Sequence, residues 1–338
     1  MGTDDNALNA IDAVITWVDG SDPRHKKRRK KALKKLDTTE GNPLSTGTSK
    51  TRFIDNGELR YCLASIRTFA PWIRNIYLVT DNQKPAFLTD QLQEELNIIL
   101  IDHKVLFRDF EWALPTFNSR TIETALWRIP DIAPRFIYFN DDFIVTAPVS
   151  PDHFFENGKV VLRGKWNKIV QYNSFRIGVN KLVTYLAGRL FGITRSMHLL
   201  YQMRSASLAG FDKRYFRTPH VPHPVYTETV SRFFEQNPGL FNENIKYPFR
   251  DMDQFSSIYV AHHLEIEKDN AVLKNEDEYL MINGEMDIDR TILKKVNKIK
   301  NQEVSLVCLQ GVEKVDDTLF NELESHLKQL FEPSPLIR

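Results

Sequence analysis

The chain has 338 residues, 42% hydrophobic and 11% aromatic, which is enough apolar material for one large globular domain spanning residues 1–338. Its 45 lysines and arginines against 44 acidic residues leave a net charge of +1, so nothing global points to nucleic acid as a partner. Two cysteines, Cys62 and Cys308, stand far apart and outside any CxxC or Cys/His cluster; this argues against a disulfide framework and a thiolate zinc site, and it fits a reducing cytoplasm.

In chain order, "DAVITWVDG" (12–20) is a β-branched apolar run ending at Asp19 and Gly20, with Asp22-Pro23 beyond: a buried strand leading into a polar loop. "HKKRRKKALKK" (25–35) packs eight basic residues into one stretch, so the rest of the chain carries a net charge of −7. Such a block reads as a solvated helix or loop, or as a contact with anionic lipid or an anionic polymer. The Thr-, Ser-, Gly- and Pro-rich stretch after it extends this to a basic, flexible excursion over 25–50. "ELRYCLASIRTFA" (58–70) has helical spacing, with Asn56 as a candidate cap and Pro71 beyond its end. "IRNIYLVTDNQ" (73–83), "NIILIDH" (97–103) and "FIYFNDDFIV" (136–145) are three more apolar runs, and each reaches polar residues: Asp81 and Asn82, Asp102 and His103, then Asn140, Asp141 and Asp142. This alternation predicts an open α/β sheet with a nucleotide-type site along its carboxyl edge.

Past residue 150 the pattern turns helical, and about 176–215 reads as a helical insertion or lid. His220 and His223 sit among prolines ahead of a helix capped near Thr227; Arg250, Asp251 and Asp253 precede an apolar helix; a strand and an amphipathic helix close the chain. No apolar run approaches the roughly 20 residues of a membrane span. "MGTDDNALNA" has no basic region ahead of an apolar core, so the sequence is expected neither to span a membrane nor to carry a secretion signal.

An unpaired buried carboxylate is costly enough that it finds a partner, binds a metal or takes up a proton. Asn140, Asp141 and Asp142 therefore mark either a strand end at a site or a tight turn between two strands. Paired carboxylates at a strand end can hold Mg²⁺ or Mn²⁺ against a diphosphate, although a plain turn gives the same pattern. His220 and His223 lack zinc-ligand spacing and suit general acid–base work or phosphate hydrogen bonding, with simple packing as the alternative.

"IDAVITWVDGSDP" (11–23), "RFIDNGELRYCLASIRTFAPWIRNIYLVTDNQKPAFL" (52–88), "FNSRTIE" (117–123), "FIYFNDDFIV", "HVPHP" (220–224) and "FRDMDQF" (249–255) together resemble the Stealth family of sugar-phosphate transferases, with a short block "VCLQG" (307–311) that departs most. The resemblance implies a fold similar to the nucleotide-sugar-binding α/β sheet of glycosyltransferase-A enzymes, with helical additions. It also implies transfer of a sugar 1-phosphate from a UDP-sugar to a hydroxyl of a polysaccharide or oligosaccharide acceptor, with release of UMP. Carried over by position, Asp141, Glu123, His220, His223 and Arg250 would be catalytic, and Asp142 with Asp141 would hold Mg²⁺ or Mn²⁺. Asp19, Asp22, Arg52, Asn56, Asp81, Asn82, Ser119 and Asn140 would contact substrate. The implied setting is the cytoplasm, with peripheral association at the inner face of a membrane through residues 25–35. A metal-dependent glycosyltransferase releasing UDP is the alternative.

Overall fold

Four of the apolar runs become the parallel strands of a central sheet in the computed structural model of the chain, which describes residues 9–36, 57–169 and 198–337. β1 (Ile11–Thr16) is followed by the basic helix α1 (Pro23–Leu36) and by α2 (Glu58–Phe69), then come β2 (Ile76–Thr80), β3 (Ile98–Asp102) and β4 (Arg135–Asn140). The strands run in the order β3, β2, β1, β4, all parallel. β4 turns at Asp141 and Asp142 into β5 (Phe143–Val145), which leaves this sheet, and β6 (His223–Tyr226) closes the β4 edge antiparallel. The fold is thus the expected α/β class. The apolar run at 136–145 is both of the things its carboxylates allowed, a strand end and a tight turn.

Period-2 alternation divides the sheet between two cores. Ala13, Ile15, Leu78, Ile137 and Phe139 enter one, and Val14, Tyr77, Val79, Phe136 and Tyr138 enter the other. α2 covers the first with Leu59, Cys62, Leu63 and Ile66, which recur on one helical face and are fully buried. Truncating Leu63 to alanine there would cost about 2–5 kcal/mol. α2 starts at Gly57, whose φ of 86° suits a residue without Cβ; the expected cap Asn56 lies outside the described residues. Against the second core pack α3 (Ser119–Ala125), α4 (His198–Leu208), α5 (Thr227–Gln236) and α6 (Ser257–Glu267). Thr227 is the first residue of α5 rather than its cap, because its hydroxyl donates to Ala133 O at 2.7 Å.

At the amino end of the sheet Asp12, with no exposed surface, accepts from Arg74 Nε (2.9 Å) and Nη2 (2.7 Å) and from the Asn75 and Ala133 N–H groups (3.1 and 2.7 Å). This carboxylate ties β1 to the segments leading into β2 and β4, and its task is structural. At the other end of the chain β7 (Tyr279–Asn283) pairs parallel with β8 (Leu306–Gln310), and β8 pairs antiparallel with β5, placing Cys308 opposite Phe143. The C-terminal segment is thereby brought against the β4–β5 turn.

The basic stretch is the α1 helix. Asp22 Oδ1 accepts the His25 N–H at 2.7 Å at its start, and Arg28 forms a two-pronged bond with Asp81 at 3.1 and 2.6 Å. Lys26, Lys27, Lys30 and Lys31 point to solvent. Of the predicted excursion, residues 37–50 lie outside the described residues, as do 176–197 of the predicted insertion. The described remainder of that insertion is α4 and the strand Arg214–Arg217, and α4 packs on α6. Among the described residues no helix is long and apolar enough to cross a membrane.

Candidate active site

Because β1 to β4 are parallel, their carboxyl ends share one edge, and the polar residues after each strand gather there. On the β1–β2 side they are engaged locally. Asp19 Oδ1 accepts the Ser21 N–H and hydroxyl at 2.8 and 2.6 Å, Asp22 starts α1, and Asp81 pairs with Arg28. Asn82 adopts the left-handed region at φ 52°, which asparagine tolerates. Arg52 and Asn56 lie outside the described residues.

The predicted residues that do converge surround a pocket at the end of β4. Strand alternation puts Tyr138 and Asn140 on the same face, so the Tyr138 hydroxyl donates to Asn140 Oδ1 at 2.7 Å. The same hydroxyl lies 3.0 Å from Thr16 Oγ1 and 3.4 Å from Glu123 Oε1. Asn140 Nδ2 then meets His220 Nε2 at 3.0 Å. An amide NH₂ can only donate, so the hydrogen-bond network assigns Nε2 as the unprotonated ring nitrogen. The edge of Phe143 holds the His220 ring at 4.7 Å between centroids.

α3 supplies the opposite wall. Asn118 caps it by accepting the Arg120 N–H at 3.1 Å, and this sets Ser119 and Glu123 one turn apart. Ser119 Oγ accepts from Arg250 Nη2 at 2.7 Å, and Glu123 Oε2 accepts from the Tyr201 hydroxyl at 3.0 Å. The buried Arg120 guanidinium lies 3.9 Å over the Tyr201 ring and donates to Asp251 O at 3.1 Å. Burial raises the Glu123 carboxyl above its usual range against the pull of Arg250. Burial also lowers Arg120 to about 10 and lowers Arg250, yet both remain cations at neutral pH. The Tyr138 and Tyr201 hydroxyls are pushed well up by burial and stay protonated donors.

The two histidines of "HVPHP" part company. His220 is half-buried at the pocket, whereas His223 sits on β6 opposite Tyr138, is 4% exposed, and packs its ring 5.3 Å from Tyr259 and 5.4 Å from His262. Both border the pocket. Arg120, Tyr138, Tyr201 and Tyr259 also line it, and nothing in the sequence singles them out as site residues. Tyr138 alone carried a local signal, two residues before Asn140 in a strand.

The cysteines, outside any Cys/His cluster in sequence, gain polar neighbours in space, and Cys308 gains ligand-type ones. Cys308 Sγ donates to Asp142 Oδ2 at 3.5 Å, and Cys62 Sγ to Asn140 O at 3.6 Å. Burial, then Asp142, push the Cys308 thiol well up. The ligand atoms of Asp142, His220 and Cys308 lie within 4.8 Å of one another. This donor set, with Asp141 half-buried next to it, fits a divalent cation.

Residues 9–37 match the family model described as Stealth protein CR1, conserved region 1, and residues 52–162 that of Stealth protein CR2, conserved region 2. The chain is similar to a protein named receptor polysaccharide phosphotransferase WefC of Streptococcus oralis, at 30% identity over 72% of this chain and 74% of that one. It is 41% identical to a capsular polysaccharide phosphotransferase of Neisseria meningitidis serogroup B over 70% of this chain and 57% of that one. With an exopolysaccharide phosphotransferase of Streptomyces coelicolor, SCO6021, it shares 42% identity over 49% of this chain and 29% of the other. The chain thus spans less than two thirds of the length of two of these three relatives. Among solved structures, the galactosyltransferase LgtC aligns over 95% of both chains at 11% identity with a TM-score of 0.38, too slight a likeness to argue from. The sequence relationships, one of them covering most of both proteins, show that the chain belongs to the Stealth family.

Proposed function

We propose that the chain transfers a sugar 1-phosphate from a UDP-sugar to a hydroxyl of a glycan acceptor, forming a phosphodiester and releasing UMP, in the synthesis of a capsule or other surface polysaccharide. The observation that carries this reading is the meeting of two guanidiniums, Arg120 and Arg250, with Glu123 and the His220 imidazole in one pocket at the carboxyl end of β4. The names of the relatives, polysaccharide phosphotransferases, support it.

In the proposed reaction the acceptor oxygen bonds to the β-phosphorus, the bond from that phosphorus to the bridging oxygen breaks, and UMP leaves with the bridging oxygen. Charge builds on the phosphoryl and leaving oxygens, so the protein's task is positioning and electrostatic stabilisation. Arg250, held by Ser119, offers its fork to the phosphate, and Arg120 adds a second fixed cation. The hydroxyl proton passes to His220 Nε2 as the acceptor takes the place of the Asn140 amide on that nitrogen. Glu123, fixed by Tyr138 and Tyr201, keeps the two guanidiniums aligned, and His223 serves as packing. Mg²⁺ or Mn²⁺ would be held by Asp142 with Asp141 beside it; when bound, the ion neutralises diphosphate charge. Asp19, Asp22, Asp81 and Asn82 would lie toward the nucleotide along the same edge, with Arg52 and Asn56 also on substrate. The setting proposed is the cytoplasm, with the lysine face of α1 toward an anionic polymer or the inner membrane surface.

The test is to incubate the protein with UDP-sugars, Mg²⁺ or Mn²⁺ and glycan acceptors, and to separate UMP from UDP by chromatography. Acceptor-dependent UMP is expected, abolished by chelator and cut about a hundredfold or more in Arg250→Lys. Release of UDP instead would make the chain a glycosyltransferase and overturn the reading.

A further inference from the structure

The atoms of Asp142, His220 and Cys308 that lie within 4.8 Å of one another come from a turn, a loop and a strand far apart in sequence, and the backbone fixes two of them against each other. Cys308 pairs with Phe143 in the register of β8 on β5, the Leu309 N–H donates to Asp142 O at 2.9 Å, and Cys308 Sγ reaches Asp142 Oδ2 at 3.5 Å. His220 is steered by Phe143 at 4.7 Å and by Asn140 at 3.0 Å. Mg²⁺ prefers an all-oxygen shell. A carboxylate, an imidazole and a thiol instead favour cations that accept nitrogen and sulfur, Zn²⁺ and Co²⁺ among them. Three protein ligands with one position left for an outside group is the arrangement of catalytic rather than structural zinc.

We propose that Asp142, His220 and Cys308 form a site for one thiophilic divalent cation, Zn²⁺ or Co²⁺, that binds without any nucleotide sugar. Bonds form from the cation to a carboxylate oxygen, an imidazole nitrogen and the Cys308 sulfur, and the thiol proton leaves to solvent. Bond lengths of about 2.0–2.3 Å require the donor atoms to draw together by about 1 Å, within reach of side-chain rotation at Asp142 and His220. The site shares Asp142 and His220 with the proposed catalytic groups, so a bound Zn²⁺ or Co²⁺ occupies them and should inhibit UMP release; it rests on the chain's own donor atoms, so its failure would leave the sugar-phosphate reading standing.

The test is to titrate the metal-free protein with Co²⁺ and follow the sulfur-to-cobalt absorption in the near ultraviolet. One Co²⁺ per chain is expected, with the sulfur band present in wild type and in Cys62→Ser and absent in Cys308→Ser, which also binds at least about tenfold more weakly. One equivalent of Zn²⁺ should displace the Co²⁺, whereas a large excess of Mg²⁺ should not. X-ray absorption on the zinc-loaded wild type needs no variant and should show one sulfur at about 2.3 Å. A cobalt complex without a sulfur band, a band that survives in Cys308→Ser, ready displacement by Mg²⁺, or a zinc shell of nitrogen and oxygen alone would overturn the proposal. Acceptor-dependent UMP release with Mg²⁺ would be unaffected by such a failure.

Discussion

Tyr138→Phe removes one oxygen at the point where strand, helix and histidine meet. The lost hydroxyl is 97% shielded from solvent with its residue, bonds Asn140 Oδ1 at 2.7 Å and Thr16 Oγ1 at 3.0 Å, and touches Glu123 Oε1 at 3.4 Å. It has a single proton to give, so the strong bond it donates is the one to Asn140; the Thr16 hydroxyl, which must then donate to it, loses its acceptor, and Glu123 loses a polar neighbour. Leaving such groups without their partner costs about 1–3 kcal/mol, which lowers Tm by several degrees in a chain of this size. Asn140 would then be free to rotate, and its amide would no longer fix the unprotonated nitrogen of His220. Turnover should fall about tenfold to a hundredfold, or about 1.4–2.7 kcal/mol in the barrier, with little change in KM for the donor. Nucleotide release at saturating donor, measured alongside thermal unfolding, reads both quantities. Wild-type turnover and an unchanged Tm would refute the reasoning, because Asn140 and His220 would then owe their placement to other contacts.

Asp12→Asn should destabilise the fold by about 1–3 kcal/mol, since one of the two acceptor oxygens that serve four donors at the sheet's amino end becomes an amide donor, while the part-exposed Arg74 can turn to water; urea titration checks this, and turnover per folded molecule should not change. Glu123→Gln should lose turnover yet raise Tm at pH 7. Burial holds the folded-state carboxyl above its unfolded value, so stability is lost as pH rises through the folded value and the ionised form is the costly one; the gain over wild type should vanish below about pH 4. Burial depresses His262 to about 3 and His103 to about 4. Their contribution is complete above the unfolded value of about 6.5 and is lost as pH falls toward 4, at about 1.4 kcal/mol per pH unit for each, and urea titrations at pH 7, 6 and 5 should show a shallower loss in His103→Leu.

The four parallel strands were legible because strands buried on both faces carry apolar residues without interruption, as at Ile76–Val79 and Phe136–Phe139. Their shared carboxyl edge followed from the strand–helix alternation. Glu123 and the role of Arg250 came through the family resemblance, since a glutamate in a helix and an arginine before one look ordinary by themselves; His220 already stood out as a histidine between prolines. Tyr138 was hidden by its own strand, where tyrosine reads as core. Arg120 and Tyr201 meet only because α3 and α4 pack on the same core, across 81 residues of sequence whose spacing says nothing of it. Cys308 was dismissed for want of a local motif. The register of β8 on β5 brings it to Asp142, and no local pattern encodes a pairing between segments so far apart. Of the two forms open to the basic stretch, helix or loop, the chain takes the helix, and Asp22 and Asp81 anchor it from a loop and a strand end.

The most direct test of sugar-phosphate transfer follows the β-phosphate itself. A UDP-sugar labelled at that phosphate is incubated with acceptor and the protein, and the glycan is separated from the nucleotides. The proposed chemistry carries the label into the glycan, in a form that phosphatase cannot remove, and leaves unlabelled UMP. Label that stays entirely in UDP while sugar enters the glycan would contradict it.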